Sequence, residues 1–170
     1  RGSITIGTLP SGLCPAGRWS TRDDITQPWE CDRCPPKYQC AAGTGSTAIF
    51  GLPQACTAGY YCPEATQAGQ TSTELDPLHC PTGQLCPCPA GRYSPSTTLE
   101  SWDECTVCPP GSFCAGGQTA VSGTCQAGHY CPIGTQQADA FPCPAGKFSA
   151  ATNLISEDQC TVCSPPNYCP

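Results

Sequence analysis

Methionine is absent from this chain, histidine occurs only at His79 and His129, and lysine and arginine together number seven. Each shortage excludes something. Scattered basic residues in a chain of net charge −6 and pI near 4.6 give no clustered cationic face for a phosphate backbone or an anionic membrane surface, so nucleic-acid binding is not expected. No apolar run reaches the 18 or so residues of a membrane-spanning helix, and no direct membrane insertion is expected. No charged, apolar, small-residue leader opens the chain, which reads as an internal piece of a longer secreted or surface protein. Leu, Ile, Val and aromatic residues are too thinly spread for one large core.

Catalytic apparatus is also missing. There is no G-x-S-x-G elbow and no H-E-x-x-H, and the sequence is not expected to be an enzyme. The glycine-rich GTGSTAIFG at Gly43 is better explained by its internal partner GQTAVSG than as a phosphate loop. Three C-x2-C pairs, Cys31/Cys34, Cys105/Cys108 and Cys160/Cys163, lie 74 and 55 residues apart, against about 15–20 in zinc ribbons. With two histidines to supplement them, they are read as parts of structural bridges, and no metal centre or cofactor is expected.

What the chain does have is 18 cysteines, 18 glycines and 20 prolines in 170 residues. Cysteine at that density marks a disulfide scaffold made in an oxidising compartment. Glycine and proline at that density exclude long helices and wide sheets. The expected fold is therefore a tandem of small disulfide-rich modules, irregular with short β-hairpins, forming an elongated rod with little or no helix.

The sequence repeats. From Cys88 the pattern C-x16-C-x2-C-x5-C-x10-C-x5-C runs through Cys105, Cys108, Cys114, Cys125 and Cys131, and Cys143 restarts it after 55 residues. The same C-x16-C-x2-C-x5-C starts at Cys14 and passes through Cys31, Cys34 and Cys40, then after 15 residues reaches the C-x5-C pair Cys56/Cys62, followed by an additional C-x5-C pair, Cys80/Cys86. Four stretches result: 1–13, the tail of a preceding repeat; 14–87, repeat 1 with an extra half-module at 80–86; 88–142, repeat 2; and 143–170, a truncated repeat 3. Within them recurs C-x-x-G-x-aromatic, as in CPAGRW, CTAGYY, CPPGSF and CQAGHY. Glycine there supplies the positive φ of a tight turn, and Trp19, Tyr93, Phe113, Tyr130 and Phe148 are read as miniature cores over the disulfides. CPPKYQC, CPTGQLC and CSPPNYC lack the glycine or the aromatic, and differently shaped hairpins are expected there.

Connectivity does not follow from sequence alone. The repeat restricts it, because each unit must largely close on itself: the C-x16-C loop closes alone and the two C-x5-C pairs interlock. This gives Cys14 with Cys31, Cys34 with Cys56, Cys40 with Cys62, Cys88 with Cys105, Cys108 with Cys125, Cys114 with Cys131, and Cys143 with Cys160. Cys80 bridges locally to Cys86, and Cys163 and Cys169 are left to partners beyond the chain end.

The run CPAGRYS, CTVCPPGSFC, CQAGHYCP and CPAGKFS resembles the ephrin-receptor-like cysteine-rich repeats. Those repeats stand in tandem in very large extracellular proteins of protists and algae, among them the shaft proteins of flagellar hairs, the mastigonemes. The cysteine order is also similar to tumour-necrosis-factor-receptor modules, whose pairing of first with second, third with fifth and fourth with sixth agrees with the scheme above. The resemblance implies a non-catalytic structural segment of a large extracellular, cell-surface or flagellar-filament protein. Its partners are then other copies or segments of the same protein, and glycans. The alternative is a ligand-binding or adhesive ectodomain of a receptor.

Acidic residues gather before the second cysteine of each unit: Glu30, then Glu100, Asp103 and Glu104, then Glu157 and Asp158. SWDEC and SEDQC partly resemble the calcium site of epidermal-growth-factor-like modules, but Ser101 and Ser156 stand where that site wants an acid or amide, so a solvated loop is expected in place of calcium. Hydroxyls near proline make Thr71, Ser72, Ser94 and Ser96 candidate O-glycan sites, with Pro95 a candidate hydroxyproline. Ile49, Phe50 and Leu52, in a loop longer than its counterpart in repeat 2, form the candidate contact patch.

Overall fold

The computed structural model describes residues 14–22, 24–45, 51–73 and 80–164. Among them the only helical pieces are three 3-10 turns, Pro28–Glu30, Trp102–Glu104 and Glu157–Gln159. The chain is a non-helical, disulfide-rich fold of two-stranded hairpins.

Its smallest unit is a seven-residue clasp that begins at a cysteine. The N–H of the fifth residue bonds the carbonyl of the second, as in Arg18 to Pro15 and Arg92 to Pro89, both at 3.0 Å. Such a turn places its third residue at positive φ, which is why Gly91 stands there at +84°. Two sequences expected to differ make the same turn. In CPPKYQC, Lys37 itself takes φ +74°, and in CPTGQLC the turn forms at Gly83 with φ +85°. Both close the same bond, Tyr38 N–H to Pro35 and Gln84 N–H to Pro81.

The turn folds each heptapeptide back on itself, and this decides the pairing. First and seventh residues come to Cα separations of 5.8–5.9 Å, so the bridges are Cys34–Cys40, Cys56–Cys62, Cys80–Cys86, Cys108–Cys114 and Cys125–Cys131. The interlocked pairs expected from the sequence, Cys34 with Cys56, Cys40 with Cys62, Cys108 with Cys125 and Cys114 with Cys131, are therefore replaced by local ones. Where the seventh residue is Ser20, Ser94 or Ser149, no partner lies within the clasp, and the first cysteine closes the longer loop instead: Cys14–Cys31, Cys88–Cys105 and Cys143–Cys160. Cys163 is also disulfide-bonded within the chain, so its partner does not lie beyond the end; Cys169 falls outside the described residues.

Successive clasps are joined by backbone alone. Apart from the extra clasp at 80–86, whose fifth and sixth residues form no strand, the fifth and sixth residues of each clasp form a strand that pairs antiparallel with the dipeptide just before the next one. Thus β1 (Arg18–Trp19) pairs with β2 (Asp32–Arg33), β3 (Tyr38–Gln39) with β4 (Gln54–Ala55), and β5 (Tyr60–Tyr61) with β6 (Cys86–Pro87). The series continues with β7 (Arg92–Tyr93) and β8 (Thr106–Val107), β9 (Ser112–Phe113) and β10 (Gly123–Thr124), β11 (His129–Tyr130) and β12 (Phe141–Pro142), and β13 (Lys147–Phe148) and β14 (Thr161–Val162).

The turn residue of each clasp then grips the next clasp from both sides. Gly91 donates its N–H to Cys114 O and accepts from Cys108 N–H, each at 2.8 Å; Gly111 repeats this with Cys131 O and Cys125 N–H, and Lys37 with Cys62 O and Cys56 N–H. The same bonds occur at Cys88 and Cys143, where the sequence period restarts: Cys88 N–H to Gly59 O and Cys143 N–H to Gly128 O, each 2.8 Å.

The extra clasp, 80–86, enters this ladder only through its last residue, Cys86, which pairs with Tyr61. Beyond it, Tyr60 pairs with Pro87, and Gly59 bonds Cys88 and Ser94. The extra clasp is held from the side, by Gln67 N–H to Gly83 O, Leu85 N–H to Gln70 O and Ser72 N–H to Leu85 O. Leu85 and Cys86 supply its buried contacts with the Cys56–Cys62 clasp and with Tyr61.

Cystine, with very little aliphatic carbon, makes the core. Nearly all cysteines from Cys14 to Cys131 are buried, and each C-x16-C loop adds one aliphatic plug, Ile25, Leu99 or Leu154. Of the aromatics expected as miniature cores, Trp19, Tyr93, Phe113 and Tyr130 are half-buried and Phe148 is exposed; among the described residues the one buried aromatic is Tyr61, which packs with Cys86, Cys88 and Cys105. Three buried threonines, Thr44, Thr66 and Thr135, close the turn after a clasp by donating Oγ1–H to the carbonyls of Ala41, Pro63 and Pro132.

Candidate functional site

The acidic residues before each loop-closing cysteine face their own backbone. Glu30 Oε2 accepts the N–H of Thr26 (2.7 Å) and of Gln27 (2.9 Å), and Glu104 Oε2 accepts that of Glu100 (2.6 Å). In the third loop Gln159 Oε1 accepts Ile155 N–H at 2.6 Å. A neutral amide thus does the work of the carboxylate, which identifies the position as a staple for the 3-10 turn. Those two N–H donors hold the Glu30 carboxyl below its ordinary range, the Ser101 hydroxyl does the same for Asp103, and the Arg22 guanidinium does so for Asp24. Among the described residues no three His, Cys, Asp or Glu side chains come together as a metal site.

Basic residues have similarly local work. The Arg18 guanidinium donates to Cys31 O (2.8 Å) and that of Arg92 to Cys105 O (2.7 Å), tying the first two serine-ended clasps to the ends of their loops. Arg92 also lies over the Trp102 ring, 5.2 Å from its centroid. His129 is half-buried with Nδ1 3.2 Å from Ala127 O, and His79 lies outside the described residues.

Two of the candidate O-glycan acceptors are closed off. Ser94 is 1% exposed with its Oγ accepting Ser96 N–H, and Ser72 is 6% exposed, so burial removes both from the reach of a transferase. Thr71 and Pro95 are exposed, and Ser96 is half-exposed with its hydroxyl 3.0 Å from that of Thr98. Of the contact patch, Leu52 is 66% exposed, while Ile49 and Phe50 lie outside the described residues.

The structure brings together a group of side chains that the sequence did not connect. Pro36, Tyr61, Pro63, Glu64, Cys80, Glu100, Ser101 and Trp102 line one open cleft. One wall comes from the paired clasps 34–40 and 56–62, the other from the turn of the Cys88–Cys105 loop, and the extra clasp forms its end through Cys80. Glu64 is paired with Arg33 at 3.1 Å; the Glu100 carboxylate makes no ion pair among the described residues. Counting from the cysteines and the leucine plug, the corresponding positions one repeat later are Ile133, Ile155 and Glu157 in place of Glu64, Glu100 and Trp102. Both isoleucines are exposed. Counting from these landmarks in the sequence was the available signal for the pairing of positions, but nothing in it placed the extra clasp at the end of the cleft.

No protein-family model matches this sequence, and no curated protein matches it.

Proposed function

We propose that the chain is a non-catalytic structural segment of a large extracellular or flagellar-filament protein, in which stacked clasps give a stiff rod for assembly. The observation that supports this reading is the order of the junctions: apart from the inserted clasp 80–86, each clasp grips the one that follows along the chain. Such quasi-one-dimensional stacking lengthens by adding units and leaves the sides available for lateral contacts. The continuity of the bonds through Cys88 and Cys143 agrees with it, as does the resemblance to tandem repeats of very large surface proteins. The density of disulfides agrees with an oxidising, extracellular setting, and among the described residues no helix is long and apolar enough to cross a membrane. Of the candidate acceptors, the Thr71 and Ser96 hydroxyls are left for glycans, and Leu52, the described member of the lateral patch, is exposed.

Small-angle scattering on the oxidised chain, with negative-stain images of the native assembly, tests the reading. A particle of constant cross-section whose length grows in proportion to the number of clasps in progressively longer fragments is expected. A compact particle whose dimensions follow the cube root of mass would overturn it.

A further inference from the structure

The inserted clasp differs from the ladder clasps at its first cysteine. Cys34, Cys56, Cys108 and Cys125 each give their N–H to the turn residue of the preceding clasp, and each is buried. Cys80 has no such place, because Gly59, the turn residue before it, takes the N–H of Cys88 instead. Cys80 is half-exposed and lines the open cleft, while its bridge partner Cys86 is 1% exposed. A thiolate in solution therefore reaches one end of this bridge and not the other, by way of the cleft. The bridge also has little to do with the ladder. What the inserted clasp gives the ladder is the Cys86 backbone beside Tyr61, and its turn is held by three bonds from the side, between 67–72 and 83–85.

We propose that Cys80–Cys86 is a reducible latch, and that exchange with an external thiol frees the turn of the inserted clasp while the ladder stays in place. The incoming thiolate attacks the Cys80 sulfur, the S–S bond breaks, and Cys86 leaves as a thiolate. A second thiolate attacks the mixed disulfide on Cys80 and departs as the reductant's own disulfide, and each cysteine thiolate takes a proton from solvent. Six-residue closure is then lost at 80–86 alone, and the side bonds to Gly83 and Leu85 lose the ring that holds them. A small disulfide reverses the two steps and closes the latch.

The test is graded reduction of the oxidised chain with glutathione, quenched with acid, alkylated and read by peptide mapping, with hydrogen exchange on the same samples. Among the described bridges Cys80–Cys86 should open first, on the order of tenfold faster than those of Cys34, Cys56, Cys108 and Cys125, with glutathione trapped on Cys80. The amides of Gln67, Ser72 and Leu85 should then lose protection while those of Cys88 and Cys108 keep it. Cys143 is half-exposed too, but its N–H is gripped by Gly128, so its bridge should open later. Earlier opening of Cys143–Cys160, glutathione trapped on Cys86, opening of all bridges together, or protection of Leu85 unchanged by reduction would each overturn the proposal.

Discussion

Cys88 donates its amide N–H to the carbonyl of Gly59 at 2.8 Å, across a stretch of chain that contains an entire additional clasp. The bond matches that from Cys108 to Gly91, where nothing intervenes. The grip on Cys88 therefore does not depend on the turn of the inserted clasp, which contributes only the Cys86 backbone to the ladder, and the first prediction follows. In C80A/C86A the other bridges should map unchanged, and the amides of Cys88 and Tyr61 should keep their protection from hydrogen exchange. Stability should fall by about 2 kcal/mol, the loop-closure value for so short a ring. Peptide mapping and hydrogen exchange check this; rearranged bridges would contradict it.

The seventh residue of each clasp selects the partner of the first. Replacing Cys105 by alanine leaves the Cys88 thiol without its partner; adding Ser94→Cys restores one at the clasp position. In the double variant Cys88 should bridge to the thiol introduced at position 94, with the 95–104 loop released and the ladder bonds of Gly91 retained. Proteolytic mapping of the oxidised double variant reads the bridge directly.

Glycine at the turn answers to two demands that differ along the chain. A Cβ on Gly59 would lie 2.7 Å from the carbonyl oxygen of Gly117, whereas one on Gly146 would meet nothing within 4 Å; both residues have positive φ, +87° and +81°. Gly146→Ala should cost about 1–2 kcal/mol for the backbone alone. Gly59→Ala adds a clash with backbone and should cost about 3 kcal/mol or more. Denaturant unfolding of the two variants under oxidising conditions gives the comparison.

Acid should loosen the loops unequally. The Glu30 carboxyl has a folded pKa below its ordinary value because the Thr26 and Gln27 N–H groups bind its charged form. A depressed pKa means that its contribution is present above the unfolded value and is lost as pH falls through the folded one. The amide signals of Thr26 and Gln27 should therefore titrate together in the acid range below 4.5. That of Ile155, held by the uncharged Gln159, should not. A pH series of amide spectra resolves the three signals.

Much of the architecture was open to reading in the residues. The C-x16-C closures at Cys14, Cys88 and Cys143 are present, and so are the local Cys80–Cys86 bridge and the short hairpins without long helix. The interlock was misread because C-x5-C spacing is compatible with crossed and local bridges alike; what discriminates them is the turn between the cysteines. The deciding letters were serines: Ser20, Ser94 and Ser149 stand where the other clasps have cysteine, and their Oγ atoms accept the N–H two residues on, at Arg22, Ser96 and Ala151. Lys37 illustrates the opposite difficulty. A lysine at φ +74° is held there by its two bonds to the next clasp, and no local preference announces it. The cleft was hidden for a third reason, since Glu64, Glu100 and Cys80 meet only through the sideways attachment of the inserted clasp.

The alternation of local and long bridges also divides the chain by its response to pulling. Under tension, force entering at Cys14, Cys88 or Cys143 crosses the bridge to Cys31, Cys105 or Cys160, so residues 15–30, 89–104 and 144–159 are shielded from the load. Between the locally bridged clasps no covalent crosslink spans the gap. There the hydrogen bonds part first, and residues 115–124 and 132–142 pay out as slack. In the proposed filament such a chain is a shock absorber with preset stops, rigid at rest and lengthening in steps when stretched.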